Sequence, residues 1–118
     1  MKAQELRIGN WIETLSGMEQ CVDVLCDSVN TKSIEGINYG EINPIPLTEE
    51  WLVKFGFEKR RYIHEGIIFG KDEFWDLEYY IAHDIYEISQ LEIDNLKYVH
   101  QLQNLYFALT GNELEINS

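Results

Sequence analysis

Residues 43–57 read NPIPLTEEWLVKFGF, and this stretch decides how the rest of the chain is divided. It holds the only two prolines of the sequence, Pro44 and Pro46. A proline has no backbone N–H and restrains the preceding residue to an extended conformation, so a central β-strand cannot continue through it. The prolines therefore predict a break between two regions of regular structure.

The residues after the prolines have the pattern of a short helix over 48–56. Thr48 is a good N-cap, because its hydroxyl can accept a hydrogen bond from an unpaired amide of the first turn. Gly56 can adopt the left-handed conformation that ends a helix. The apolar residues that share one side of this predicted helix are Trp51, Leu52 and Phe55.

Strand patterns lie on both sides of the break. Before it we predict three short antiparallel strands, over 6–13, 19–27 and 33–42. After it we predict a β-meander, with strands over 57–64, 67–70, 74–82 and 85–88. In the first strand, alternation places Leu6, Ile8 and Ile12 on the same side.

The C-terminal region predicts a helix near 95–109. Asp94 suits the N-cap of this helix, and Gly111 suits its end. At about 100° per residue, one apolar face collects several side chains. They are Leu96, Val99, Leu102, Tyr106 and Leu109.

These patterns together predict an α+β fold built on antiparallel sheets. We expect a small curled N-terminal sheet, a short middle helix, a β-meander, and a C-terminal helix packed on the sheet. The chain has 118 residues, which suits one domain over 1–118. A subdivision into 1–43, the small sheet, and 44–118, the remaining elements, is the alternative.

Composition predicts a water-soluble, cytoplasmic protein. The sequence is 45% apolar, yet it contains neither a membrane-length apolar run nor the apolar stretch of a secretory signal near its N-terminus. Cys21 and Cys26 are the only cysteines. Five residues apart in one strand, they would lie on opposite faces, so we expect two buried or half-buried thiols rather than a disulfide or a shared metal site.

The charge is strongly negative, with a formal net value of −12 at pH 7. This predicts no direct binding to nucleic acid and none to anionic membranes, because both require clustered Lys and Arg. Residues 72–96, which we call the acidic segment, carry eight carboxylates and no Lys or Arg. The candidate interaction surface comprises Asp72, Glu73, Asp76, Glu78, Asp84 and Glu87.

Two interpretations of the acidic segment stay open. In the first, it forms a solvated sheet face whose carboxylates pair with Lys59, Arg60 and Arg61 on a neighbouring strand. In the second, it meets a basic protein surface and places carboxylates where nucleic-acid phosphates would lie. The first describes a surface that only solubilises, and the second describes an inhibitor.

Gln103 is the most informative polar residue, because it falls inside the apolar arc of the predicted C-terminal helix. An unpaired buried amide costs about 1–3 kcal/mol, so Gln103 must have partners. The structural interpretation is that it bonds a strand edge or the backbone of a loop. The functional interpretation is that His100, Gln103 and Phe107 line a small pocket or interface.

The sequence contains no motif that predicts catalysis, a metal or a cofactor. His83-Asp84 is similar to the dipeptide at the metal centre of helical phosphohydrolases, but the chain has only three histidines and little predicted helix. A Cys–His nucleophile is not supported by any spacing. We therefore predict a protein that is not an enzyme and that has no catalytic, metal-binding or cofactor-binding residues.

Three parts of the sequence resemble small proteins of phages and mobile elements of gut bacteria. The most specific is YVHQLQNLYFALTGNEL over 98–114, and the others are ELRIGNW over 5–11 and PIPLTEEWL over 44–52 with FGF over 55–57. This resemblance implies a phage-type origin with no assigned activity. We therefore expect a binding or accessory protein with a protein partner, or alternatively a charge-mimicking inhibitor. A homodimer through aromatic residues around Trp75 and Tyr79 is a further expectation.

Overall fold

The structure, a computed structural model, describes residues 5–71, 74–88 and 93–116, without the side chains of 93–95. It confirms the α+β class: two antiparallel sheets accompany two α-helices. The strands are β1 Trp11–Thr14, β2 Gly17–Val24, β3 Ser28–Thr31, β4 Ile37–Asn38, β5 Glu58–Ile63, β6 Gly66–Gly70, β7 Leu77–Tyr80, β8 Ile85–Ile88 and β9 Ile93–Leu96. The helices are α1 Glu49–Lys54 and α2 Val99–Thr110.

The chain forms two compact units. The first unit comprises 1–46 and 98–113, and the second comprises 47–97 and 114–118. The C-terminal helix α2 therefore belongs with the N-terminal sheet, where it packs against β1. Whether 1–118 behaves as one domain stays a prediction.

The sheet of the first unit has the order β1-β2-β3-β4, and each neighbouring pair is antiparallel. A register shift between Cys21 and Asp23 interrupts the pairing of β2 with β3, as expected of a strand that bends. The buried apolar cluster of this unit consists of Leu6, Ile12, Cys21, Val29, Ile37 and Ile42.

Two strand predictions for the first unit are wrong. The strand expected over 6–13 begins only at Trp11, because Ile8 and Gly9 form a turn; Ile8 is therefore 60% exposed instead of sharing the side of Leu6. The strand expected over 33–42 is reduced to the two residues of β4, and a separate strand, β3, precedes it. The backbone turns between them, where the Asn30 side chain accepts a hydrogen bond from the Gly36 amide at 2.7 Å.

The middle helix forms as predicted. The Thr48 hydroxyl accepts from the Trp51 amide at 3.4 Å, and Gly56 has a φ of 89°. Trp51, Leu52 and Phe55 are all buried. Local capping and one apolar stripe are therefore enough to define α1.

The sheet of the second unit is an antiparallel meander of order β5-β6-β7-β8-β9. Its hairpin β5–β6 turns at residues 64–65, and its hairpin β7–β8 turns at 81–84. The face that packs inward carries Phe69, Leu77 and Ile88, each no more than 1% exposed. The meander of four strands predicted from the sequence therefore gains a fifth strand.

The fifth strand corrects the predicted start of the C-terminal helix. Asp94 and Asn95 lie in β9, so Asp94 is not an N-cap, and α2 begins at Val99. Long-range bonds hold the backbone before α2 extended: the Leu47 amide donates to the Lys97 carbonyl at 2.8 Å, and the Val99 amide to the Ile45 carbonyl at 2.9 Å. The helix ends at Gly111, whose φ of 76° is the left-handed cap that was predicted.

Candidate functional site

The structure describes only part of the candidate acidic surface. Asp72 and Glu73 lie outside the described residues. The four described members, all in the second unit, are Asp76, Glu78, Asp84 and Glu87.

Asp76 is a paired carboxylate. The sequence analysis expected the basic residues 59–61 and the acidic segment on neighbouring strands, which is wrong, because β6 lies between β5 and β7. Arg60 nevertheless reaches across, and its Nη1 lies 3.2 Å from Asp76 Oδ1. Lys59 pairs instead with Glu49, at 2.7 Å between Nζ and Oε1.

Glu78 and Glu87 face each other across two strands. They are directly opposite in the register of β7 with β8, and both are half-buried. Like charges in such positions destabilise a sheet. Glu78 accepts a hydrogen bond from the Tyr80 hydroxyl at 2.5 Å. This bond raises the pKa of Tyr80 to about 12, and the charges of Glu87 and Glu65 add to the increase.

Asp84 belongs to a packed aromatic corner. It has a φ of 52° in the turn between β7 and β8, and its carboxylate accepts from the Tyr79 hydroxyl at 2.9 Å. This hydrogen bond raises the pKa of Tyr79. The Tyr79 ring lies 4.6 Å from the ring of Tyr86, between centroids. Tyr79 is thus engaged within its own sheet, while Trp75 is 37% exposed.

A cleft lies where the two hairpin turns of the second unit meet. Its volume is about 470 Å³. We call it the hairpin cleft, and its lining residues are Tyr62, Ile63, His64, Glu65, Gly66, Tyr80, Ile81, Ala82 and His83. Two large apolar side chains remain exposed there, Tyr62 at 73% and Ile81 at 59%.

The hairpin cleft was not predicted from the sequence. The dipeptide His83-Asp84 and the strands on either side of the turns were recognisable, but the sequence does not show which turns lie side by side. The register joins them, since Gly66 pairs with both Ile63 on β5 and Tyr80 on β7. The available signal was a histidine in each of two turns that a meander places at the same end of the sheet.

Gln103 has the backbone partners that the structural interpretation requires. It is 1% exposed, its Oε1 accepts from the Trp11 amide at 2.8 Å, and its Nε2 donates to the Gly9 carbonyl at 2.9 Å. The side chain thereby fixes the loop that leads into β1. Because both the oxygen and the nitrogen of the Gln103 amide are hydrogen-bonded to backbone, its role here is structural.

Asn104, the next residue of α2, extends this network. Its Oδ1 accepts from Asn10 Nδ2 at 2.9 Å and from Arg7 Nη1 at 3.1 Å, and its Nδ2 donates to the Glu5 carbonyl at 3.0 Å. The Arg7 guanidinium lies 4.1 Å from the centroid of the Phe107 ring. Phe107 is 39% exposed and forms the outer edge of this network.

His100 is buried without hydrogen bonds to its ring. It is 1% exposed, and neither ring nitrogen has a hydrogen-bond partner within the described part of the chain. Its ring stacks on Tyr98 at 5.8 Å between centroids, and its Nε2 lies 3.9 Å from Glu5 Oε1. Burial lowers the pKa of His100, although the Glu5 charge opposes this shift. His100, Gln103 and Phe107 thus have three different environments.

The thiols differ in exposure. Both cysteines are free, and Cys21 is buried as predicted. The prediction is wrong for Cys26, which is exposed because β2 ends at Val24 and Cys26 lies in the bend that follows. Burial raises the pKa of Cys21 to about 11, so this thiol is a weak nucleophile near neutral pH. Over 5–71, 74–88 and 93–116, the structure shows no group of three or more His, Cys, Asp or Glu residues arranged to hold a metal ion.

Comparison of the chain with protein-family models, curated proteins and solved structures gives no match. In the portion of the chain that the structure covers, neither helix has the length and apolar character needed to cross a bilayer.

Proposed function

We propose that this chain is a non-enzymatic binding or accessory protein of the phage or mobile-element type. It acts in the cytoplasm and binds another protein through the hairpin cleft of its second unit. The acidic charge keeps nucleic acid away from this surface and favours a partner of opposite charge.

The exposure of Tyr62 and Ile81 is the observation that carries this proposal. Both side chains line one cleft, and they are 73% and 59% exposed. Tyrosine is enriched at protein interfaces, and large exposed side chains around a concavity are typical of binding sites. The cleft lining has imidazole and phenol groups with no Ser, Thr or Cys beside them, which supports binding rather than acyl transfer.

Site-specific photo-crosslinking tests the proposal. A photoreactive residue is placed at position 62 or 81, and a control is placed at Leu15, which is 91% exposed in the first unit. We expect one partner protein to be captured at 62 and 81 but not at 15. Excess wild-type protein should compete for the partner and reduce this crosslinking. An excess of the double variant Tyr62→Ser, Ile81→Ser should not reduce it. Equal capture at all three positions would refute the proposal.

Charge mimicry is the second candidate, and the Glu78–Glu87 pair favours it. Both carboxylates stay half-buried and directly opposite each other, which costs stability that a basic partner would recover. If the partner is a nucleic-acid-binding protein, duplex DNA should displace it from this chain. Binding should also weaken steeply with added salt. A partner that binds equally well with DNA present would exclude this candidate.

A further inference from the structure

We propose that the hairpin cleft binds an arginine side chain carried by a segment of the partner protein. The inference rests on the proposed function, because it names the chemistry that the binding surface would recognise. It is drawn from the shape of the cleft, its aromatic lining and its charge.

The shape of the cleft suits one long side chain. Its volume of about 470 Å³ lies within the range of small-ligand sites. Ile63 and Tyr80 flank Gly66 in one row of the sheet, so their backbones are separated by two strand spacings, roughly 10 Å. Gly66 contributes no side chain between them, because the Tyr79 carbonyl oxygen lies where its β-carbon would be, so backbone forms this part of the cleft wall.

The lining of the cleft suits a planar cation. Tyr62 and Tyr80 supply aromatic rings, and a guanidinium group stacks on aromatic faces more readily than an ammonium group does. Glu65 supplies a carboxylate in the same lining, to which a guanidinium can donate two parallel hydrogen bonds. Tyr62 and Ile81 at the rim remain available for the residues that flank the arginine.

The charge around the cleft is negative. The Tyr80 hydroxyl donates to Glu78, and Glu87 lies opposite Glu78. This hydrogen bond is the main cause of the raised pKa of Tyr80, followed by burial and by the charges of Glu78, Glu87 and Glu65. The nearby bases Lys59 and Arg60 already pair with Glu49 and Asp76.

Three further groups enter the charge balance. Arg61 is in register with Ile68, which stands between it and Glu78. His64 and His83 also line the cleft. Among the described residues, Glu65 is the one carboxylate of the lining, and Glu78 adds negative charge beside it through its hydrogen bond with the Tyr80 hydroxyl, so an anionic guest would be repelled.

Titration of the full chain with blocked amino acids tests the inference. N-acetyl-arginine amide is added at about pH 8 and low ionic strength, and amide chemical shifts are followed by NMR. We expect shifts confined to 62–66 and 80–83. The corresponding lysine derivative should bind more weakly, and the glutamate and leucine derivatives should produce no shifts at these positions.

Matched variants sharpen the test. Glu65→Gln should weaken arginine binding about fivefold, as expected for the loss of one partly exposed charge interaction. Glu35→Gln, an exposed glutamate of the first unit, should leave it unchanged. If the leucine derivative binds as tightly as the arginine derivative, the cleft takes an apolar side chain. If the glutamate derivative binds more tightly than the arginine derivative, the cleft takes an anion. Either result overturns the inference.

The outcomes separate the two proposals. If the crosslinking experiment captures a partner at 62 and 81 while the arginine derivative causes no local shifts, the arginine inference fails and the binding function stands. If arginine binds in the cleft and no partner is captured there, the cleft chemistry is right and the proposed function fails.

Discussion

The two units use their polar side chains in opposite ways. In the first unit, Gln103 and Asn104 of α2 turn inward and bond the backbone and side chains of the loop before β1. In the second unit, Glu78 and Glu87 lie directly opposite each other on β7 and β8. The polar groups of α2 thus stabilise the fold, whereas the opposed carboxylates of the second unit remain able to bind a partner.

The largest effect expected from this comparison is at Gln103. Gln103→Leu leaves the Trp11 amide without its side-chain acceptor, and we expect the free energy of unfolding to fall by about 3 kcal/mol. Urea denaturation followed by tryptophan fluorescence measures it. The matched control is Gln20→Leu, since Gln20 is exposed and also donates to the Gly9 carbonyl, at 3.0 Å. A loss no greater than that of the control would mean that Gln103 does not serve the architecture.

In the second unit, the largest effect is expected at Gly66. A β-carbon there would lie 1.8 Å from the Tyr79 carbonyl oxygen, a backbone atom that cannot move aside without disturbing β7. We expect Gly66→Ala to destabilise the protein by about 2 kcal/mol. Thermal denaturation measures the change, with Gly40→Ala as control because its β-carbon would meet nothing within 4 Å. Equal melting temperatures would contradict the packing of β6 against β7.

His100 makes the stability of the first unit depend on pH. Its pKa is lowered in the folded protein by burial, so the unfolded chain binds a proton that the folded protein resists. Stability is therefore complete above the ordinary histidine pKa near 6.5, and it falls as the pH drops below that value, by at most about 1.4 kcal/mol per pH unit.

A pair of variants isolates this effect. His100→Leu should flatten the stability profile between about pH 7 and pH 5, while His83→Gln, at an exposed position, should leave the profile like that of the wild type. Denaturant midpoints measured across this range provide the profile. If the His100→Leu variant keeps the wild-type slope of stability against pH, titratable groups other than His100 cause the pH dependence.

The smallest expected effect has the opposite sign. Glu87→Gln removes one of two opposed carboxylates, and we expect a gain in stability of about 0.5 kcal/mol. Glu41→Gln, an exposed carboxylate of the first unit, serves as the control. A loss of stability in Glu87→Gln, measured by the same denaturation, would place Glu87 among the structural groups.

Local signals in the sequence predicted the parts of this fold that depend on neighbours in the chain. The Thr48 cap, the Gly111 end and the burial of Gln103 all follow from residues within one or two helical turns. The start of α2 did not, because the backbone before it is held extended by pairing of β9 with β8 and by bonds of Lys97 and Val99 to distant Leu47 and Ile45. The hairpin cleft was missed for the same reason, since the register of β5, β6 and β7 decides which turns meet.

The bridge between Pro46 and Tyr98 makes residues 47–97, the longer of the two segments of the second unit, an insertion into the first. The two residues are paired in an isolated antiparallel bridge, so the chain leaves and rejoins the first unit at neighbouring points. A tight turn of a few residues is long enough to connect them directly. The first unit could therefore tolerate changes in the length of the 47–97 segment at this junction, while residues 114–118 still belong to the second unit.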